Sequence, residues 1–195
     1  MANIDIGPNI ELSSAQIGTE GGSIKITQAD SPIDEMELTI PANSFSTNQS
    51  FTISYSEILN HTLGQNFNPI SPLITIKYDG GYSKELLSLK IPVSIPEGHI
   101  AIGFYYDGET GKLEGIPTDE VTSNSITLLT RHFLSPNKLK SAQAGNNNGA
   151  NIIISSISES VLSTKPMIAT GFKPGVDDWE FVNRGSYIAP GGHCA

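Results

Sequence analysis

The stretch Leu73-Ile74-Thr75-Ile76-Lys77-Tyr78 places apolar or aromatic residues at every second position from Ile74 onward. Alternation with a period of two buries one face of an extended strand. Six further segments have the same pattern: Ser23 to Thr27, Met36 to Ile40, Phe51 to Tyr55, Leu87 to Ile91, Ala101 to Tyr106 and Ser125 to Thr130. The sequence therefore predicts successive β-strands from about residue 10 to residue 139.

Glycine and proline positions support the same architecture. Glycine pairs and Asp-Gly steps, such as Gly21-Gly22 and Asp107-Gly108, supply the positive backbone dihedrals of tight turns. Pro41, Pro92 and Pro96 lie at predicted strand ends, where a missing N–H costs little. Short strands between regular turns predict an all-β fold, an antiparallel β-sandwich over residues 1–140.

A change of composition marks the end of the predicted sandwich. Residues 141–151 are small, polar and uncharged, which is typical of a flexible linker. Residues 152–195 are expected to form a short irregular or partly helical C-terminal extension, the truncated start of a second domain. Residues 152–157 fit either a strand or a helix, and we favour a helix that begins near Ser155 or Ser156 and ends before Pro166.

Charge and composition exclude several classes of partner. The net charge of -9 disfavours binding to a nucleic-acid backbone or an anionic membrane. No apolar run approaches the roughly 18 residues of a membrane-spanning helix, and residues 1–5 do not resemble a signal peptide. The low charged fraction, 16%, and the abundance of hydroxyl and amide side chains are typical of secreted or cell-surface β-modules, so we expect an extracellular or cell-surface location.

Four segments resemble the ZU5-like family of β-sandwich domains over about residues 10–139. A Gly-x-x-Gly-Gly turn opens the first strand, an Ile-Pro step follows the next, paired middle strands come after it, and a Thr-x-His-Phe segment closes the fold. These segments are Gly18 to Ile24, Leu38 to Phe45, Ser71 to Ile76 with Leu86 to Pro92, and Phe104 to Asp107 with Thr127 to Phe133. The resemblance implies a module that holds or presents a neighbouring domain and binds a protein partner.

Some ZU5-related domains cleave themselves at a His-Phe-Ser sequence. This chain has His132-Phe133-Leu134-Ser135, so a leucine intervenes and the serine lies one residue late. A one-residue shift on a strand turns a side chain to the other face. Self-cleavage at these residues is therefore a lesser alternative to packing of His132 and Phe133 at the end of the last strand.

The single cysteine supports an alternative of another class. Gly185-Ser186-Tyr187 and Gly191-Gly192-His193-Cys194-Ala195 resemble the approach to the nucleophile in papain-like cysteine peptidases. This resemblance implies that Cys194 is the nucleophile of a longer parent protein, with its base downstream. The sandwich would then be an N-terminal accessory domain of that peptidase.

The remaining groups of aromatic and acidic residues indicate binding rather than catalysis. Tyr78, Tyr82, Tyr105 and Tyr106 flank two predicted hairpins and form either an exposed recognition patch or half-buried sandwich residues. Acidic pairs fit solvated turns, and Asp107 to Gly111 fits a hairpin turn better than a calcium loop, so we expect no metal and no cofactor. The favoured function is a non-catalytic binding or spacer module of a larger protein, without nucleic acid and without membrane insertion.

Overall fold

The computed structural model describes residues 3–78, 81–133 and 149–163. These residues form antiparallel strands and one short helix, α1. The strands are β1 (Ile4–Ile6), β2 (Ile10–Ile17), β3 (Gly22–Lys25), β4 (Glu37–Ile40), β5 (Gln49–Ser56), β6 (Ile58–His61), β7 (Asn68–Pro69), β8 (Leu73–Tyr78), β9 (Leu87–Pro92), β10 (His99–Asp107), β11 (Lys112–Ile116), β12 (Thr118–Val121), β13 (Ser125–Thr130) and β14 (Gly149–Ser158), and α1 spans Glu159–Ser163.

The strands are organised in two main sheets. One sheet has the order β11-β10-β14-β8-β5-β2, with β7 paired to β14 beside it, and the other has the order β12-β13-β9-β4-β3. Strands β1 and β6 form a separate two-stranded sheet. Every pairing between described strands is antiparallel, so the predicted all-β antiparallel fold is confirmed, as are all seven strands predicted from alternation.

One hydrophobic core receives side chains from both main sheets. Ile53 and Ile76 of the first sheet and Leu89 and Ile126 of the second belong to the same buried cluster. The sheets are in direct contact at Gly103, because a Cβ there would lie 2.6 Å from Leu128 Cδ1. Burial of apolar side chains from two facing sheets is the main stabilising contribution to such a fold.

The turns form where glycines predict them, but between β10 and β11 the positive φ is at Gly111 (67°) rather than at Gly108. Gly21 has φ 72°, and a Cβ at this position would lie 2.3 Å from the carbonyl oxygen of Ile40. Between β10 and β11, Asp107 Oδ1 accepts the N–H groups of Glu109 (2.9 Å) and Thr110 (3.3 Å). This side-chain bonding closes the predicted hairpin turn.

The C-terminal boundary of the β-structure differs from the prediction. Residues 149–151 were expected in a linker, and residues 152–157 were expected to form either a strand or, as we favoured, the start of a helix near Ser155 or Ser156. They all belong to β14, which pairs with β10 on one side and β8 on the other. The helix begins at Glu159 rather than near Ser155. Residues 141–148 and 164–195, which carry the rest of the predicted linker and extension, lie outside the described residues.

Burial on both faces explains why the sequence did not distinguish a strand from a helix at β14. Ile152 and Ile154 point into the main core, whereas Ile153 belongs to a second cluster with Ile4 and Phe67. A strand that is buried on both sides reads as a continuous apolar run without alternation. The second cluster also takes up the half-buried Ile58, so β1 and β6 pack on the outer face of the first sheet.

Candidate binding site

A cleft opens where the ladder between β5 and β8 ends. The two strands pair from Phe51 and Tyr78 to Ser56 and Leu73. Beyond this last pair the chains separate: residues 57–61 continue as β6 towards β1, and residues 69–72 turn towards β14. The space between them has a volume of about 510 Å³ and is lined by residues 57–61, residues 69–72 and Pro32.

The wall formed by residues 69–72 is held to β14. Ile70 N–H donates to the carbonyl of Ile154 (2.8 Å), and Ile154 N–H donates to Ser71 Oγ (2.8 Å). Pro69 and Pro72 have no N–H to offer to the cleft. Two of the four residues of this wall therefore have no N–H, and the N–H of Ile70 is bonded to β14.

The opposite wall is β6, which is paired on one side. Among the described strands its partner is β1, and flanking bonds from Gly7 N–H to the Glu57 carbonyl (2.8 Å) and from Thr62 N–H to the Asn3 carbonyl (2.8 Å) hold the same side. The N–H of His61 donates to the side chain of its neighbour, Asn60 Oδ1 (2.9 Å). An edge strand of this kind presents backbone groups that another strand can bind.

The cleft is lined by both apolar and polar residues, and its exposed side chains include a large apolar one. Leu59 is 70% exposed, and Ile6, which lies beside β6 on β1, is 46% exposed. Ile58 is half-buried on the second cluster, so neighbouring residues of β6 face inward and outward. The ring of His61 contacts Phe67 edge-on at 5.6 Å. Exposed large apolar side chains around a concave surface are typical of contact sites.

Three of the four candidate tyrosines lie in the interior. Tyr78, Tyr105 and Tyr106 are 2%, 4% and 4% exposed, and Tyr82 is partly exposed. Tyr105 Oη lies 2.6 Å from Thr130 Oγ1 and donates to the carbonyl of His132 (2.8 Å). An exposed patch of four tyrosines does not form, because three of these rings fill the two clusters.

The side chain of His132 packs between aromatic rings. Its ring centroid lies 5.4 Å from that of Tyr105, nearly parallel, and 5.1 Å from that of Tyr82 at a steep angle. Burial disfavours the charged imidazolium and lowers the pKa of His132 to about 4. Burial likewise raises the pKa of the Tyr78 and Tyr105 hydroxyls. Phe133 is fully buried next to Tyr78, at 5.9 Å between ring centroids.

The remaining predicted site residues lie elsewhere. Leu134, Ser135 and Cys194 are outside the described residues. Within the described residues, no group of three or more His, Cys, Asp or Glu side chains is placed to hold a metal ion.

The cleft residues were missed at the sequence level. Ile58 and Leu59 are adjacent apolar residues that follow a strongly alternating strand, and Pro69 and Pro72 come soon after. A break in alternation followed by two closely spaced prolines marks a strand leaving its sheet, and that signal was present. Which face of the segment remains open depends on the pairing of β6 with β1, which the sequence does not reveal.

No helical segment in the described ranges is long and apolar enough to cross a bilayer. Comparison of the chain with known protein families and with curated proteins found no match.

Proposed function

We propose that this chain is a non-catalytic binding module of a larger surface or secreted protein, and that the cleft between β6 and residues 69–72 is its contact site. The observation that carries the proposal is the cleft itself, which combines a volume of about 510 Å³ with an exposed Leu59 and a one-sided strand. Concave apolar surfaces with a few polar groups are the usual form of ligand sites.

A ZU5-like module is our proposal for its family. Support comes from the opening turn, where Gly21 adopts positive φ, and from the Ile40-Pro41 step at the end of β4. His132 and Phe133 follow the last predicted strand, β13, and pack into the core side of the fold. These features match the segments that carry the resemblance, and such modules hold or present neighbouring domains.

The chemistry of His132 favours a structural role. A general base works best when its pKa lies near the operating pH, and a histidine with a pKa of about 4 is a weak base at neutral pH. Its contacts with Tyr105 and Tyr82 are packing contacts of a kind that stabilises a sheet end. This supports binding over self-cleavage.

The experiment is selection of peptides from a random dodecapeptide phage library on the immobilised full chain. We expect enriched peptides whose affinity falls at least tenfold with Leu59→Arg, because the new side chain fills the cleft mouth. Val121→Arg is the matched control, since Val121 is 47% exposed on β12 in the other sheet. The affinity of the peptides for Val121→Arg should stay within twofold of their affinity for the parent chain.

Two results would contradict the proposal. The first is a selection that yields no peptide above background in repeated rounds. The second is a set of peptides that bind the parent chain and both variants equally well, since their contact site then lies away from the cleft. Thermal unfolding of both variants by circular dichroism controls for loss of the fold.

A further inference from the structure

We propose that the occupant of the cleft is an extended peptide segment carrying a lysine or arginine, which adds as a new strand to the edge of β6 that no described strand pairs with. This inference rests on the proposed binding function and specifies its partner. It follows from the backbone of β6, from the shape of the cleft and from the charge of the residues around it.

The two walls of the cleft differ in their backbone hydrogen bonds, and this difference favours strand addition at β6. On the β8 side, the N–H of Ile70 is bonded to β14, and Pro69 and Pro72 have none. On the β6 side, β1 holds one edge, and the N–H of His61 is satisfied by the Asn60 side chain. An incoming strand would replace this local bond with a main-chain bond, as in other cases of strand addition to a sheet edge.

The dimensions suit a short segment. Four residues of β6 form the open edge, and at about 3.3 Å per residue this edge is roughly 13 Å long. Side chains of the added strand would alternate between the cleft floor and solvent. Leu59 and Ile70 offer apolar contacts to the segment, whereas Ile58 packs on the second cluster.

Charge selects a basic segment. Glu57 is the one acidic residue that lines the cleft, it is exposed, and no lysine or arginine is among the described lining residues. Pro32, at the cleft wall, is two residues from both Asp30 and Asp34. The net charge of -9 adds a long-range attraction for cationic partners. A lysine or arginine beside Glu57 therefore complements the site.

The test uses the tightest dodecapeptide from the selection and measures its affinity for the full chain by calorimetry. Methylating one backbone nitrogen at a time should lower the affinity about tenfold at alternate residues and leave it within twofold at the residues between them. Replacing the basic residue of the peptide by norleucine should lower the affinity about fivefold. The variant Glu57→Gln removes the negative charge without changing the shape of the side chain. The norleucine replacement should therefore leave the affinity of the peptide for this variant unchanged.

The outcomes separate this inference from the proposed function. One outcome is a peptide whose binding is abolished by Leu59→Arg but whose affinity does not fall at alternate residues on backbone methylation. Such a peptide binds the cleft without adding a strand. A peptide whose basic residue shows no coupling to Glu57 contradicts the charge argument. A free chain that dimerises in analytical ultracentrifugation, and becomes monomeric with Leu59→Arg, has a second copy as its occupant. Each of these results overturns the inference and leaves a contact site in the cleft.

Discussion

His132 links the protonation state of one side chain to the stability of the fold. Its pKa is about 4 in the folded chain because it is buried against Tyr105 and Tyr82, and an unfolded histidine has a pKa near 6.5. Between these values the unfolded chain binds the proton more readily than the folded chain. The stabilising contribution of neutral His132 is therefore complete above about pH 6.5 and is lost as the pH falls towards 4.

Replacement of His132 by a residue that does not titrate should remove this dependence of stability on pH. We expect the difference in free energy of unfolding between the parent chain and His132→Gln to change by about 1–2 kcal/mol from pH 7 to pH 4.5, a range reduced for partial solvent exposure. Urea unfolding at five pH values measures it. Parallel stability curves for the two proteins would contradict the burial of the imidazole.

Gly103 tests the contact between the two main sheets. A Cβ at this position would lie 2.6 and 2.7 Å from the two Cδ atoms of Leu128, which is buried and has little room to move. Gly103→Ala should lower the free energy of unfolding by about 1–3 kcal/mol through overpacking. Gly115→Ala on the adjacent β11 is the control, since a Cβ there meets nothing within 4 Å. Equal stability of both variants would place the sheets further apart than described.

Among the strands, β14 joins the residues after 148 to the main sheets. Ile154 is fully buried in the main core, and its N–H and carbonyl bond to residues 70–71. Ile154→Ala should therefore cost about 2–5 kcal/mol in global unfolding. Leu59→Ala shortens a similar side chain at an exposed position and should cost less than about 0.5 kcal/mol.

The arrangement expected from the sequence, a linker to residue 151 and a helix after it, predicts a different effect of Ile154→Ala on unfolding. If these residues folded apart from the sheets, Ile154→Ala would leave the main denaturant transition unchanged. Unfolding followed in parallel by tyrosine fluorescence and far-ultraviolet circular dichroism distinguishes the two cases, because most tyrosines lie in the two clusters of the β-structure.

Alternation in the sequence predicts a strand even where both of its faces are buried. β8 and β13 were found with their full bounds, although five of the six residues of β13 are buried. β2 was missed because it is a partly exposed edge strand with an irregular register between Glu11 and Ser13. At β14 a helix was favoured over a strand because Ile152, Ile153 and Ile154 are consecutive and show no alternation.

The candidate site depends on pairing between distant segments. Residues 57–61 and 69–72 are close in sequence. The cleft exists because the first segment pairs with β1 and the second leads from β7, which pairs with β14. β14 is distant from β7 in sequence: the N–H of Asn68 donates to Ser155 Oγ, 87 residues downstream. Such long-range choices of partner are not encoded in any local pattern of residues.

At the scale of the whole molecule, the binding and peptidase proposals differ in the behaviour of Cys194. A binding module has no need of an activated thiol, so we expect alkylation by iodoacetamide to rise with a midpoint near pH 8.5. Intact mass after a short pulse between pH 5 and 9 measures the fraction labelled. Complete labelling at pH 6 would instead indicate a depressed thiol pKa and favour the peptidase alternative.

The same spectra report on self-cleavage. We expect one species at the full mass of the chain, 20.8 kDa, with no pair of fragments divided near residues 132–135. A pair of fragments whose masses sum to that of the parent plus one water would contradict a role of His132 and Phe133 in packing alone.

Binding in the cleft is tested most directly by a map of amide chemical shifts in the ¹⁵N-labelled full chain on addition of the selected dodecapeptide. We expect the largest changes at residues 58–61 and 70–71, on the two walls of the cleft, with β12 unchanged. Changes concentrated around Tyr82 and His132, or spread along β12, would show instead that the contact site lies away from the cleft.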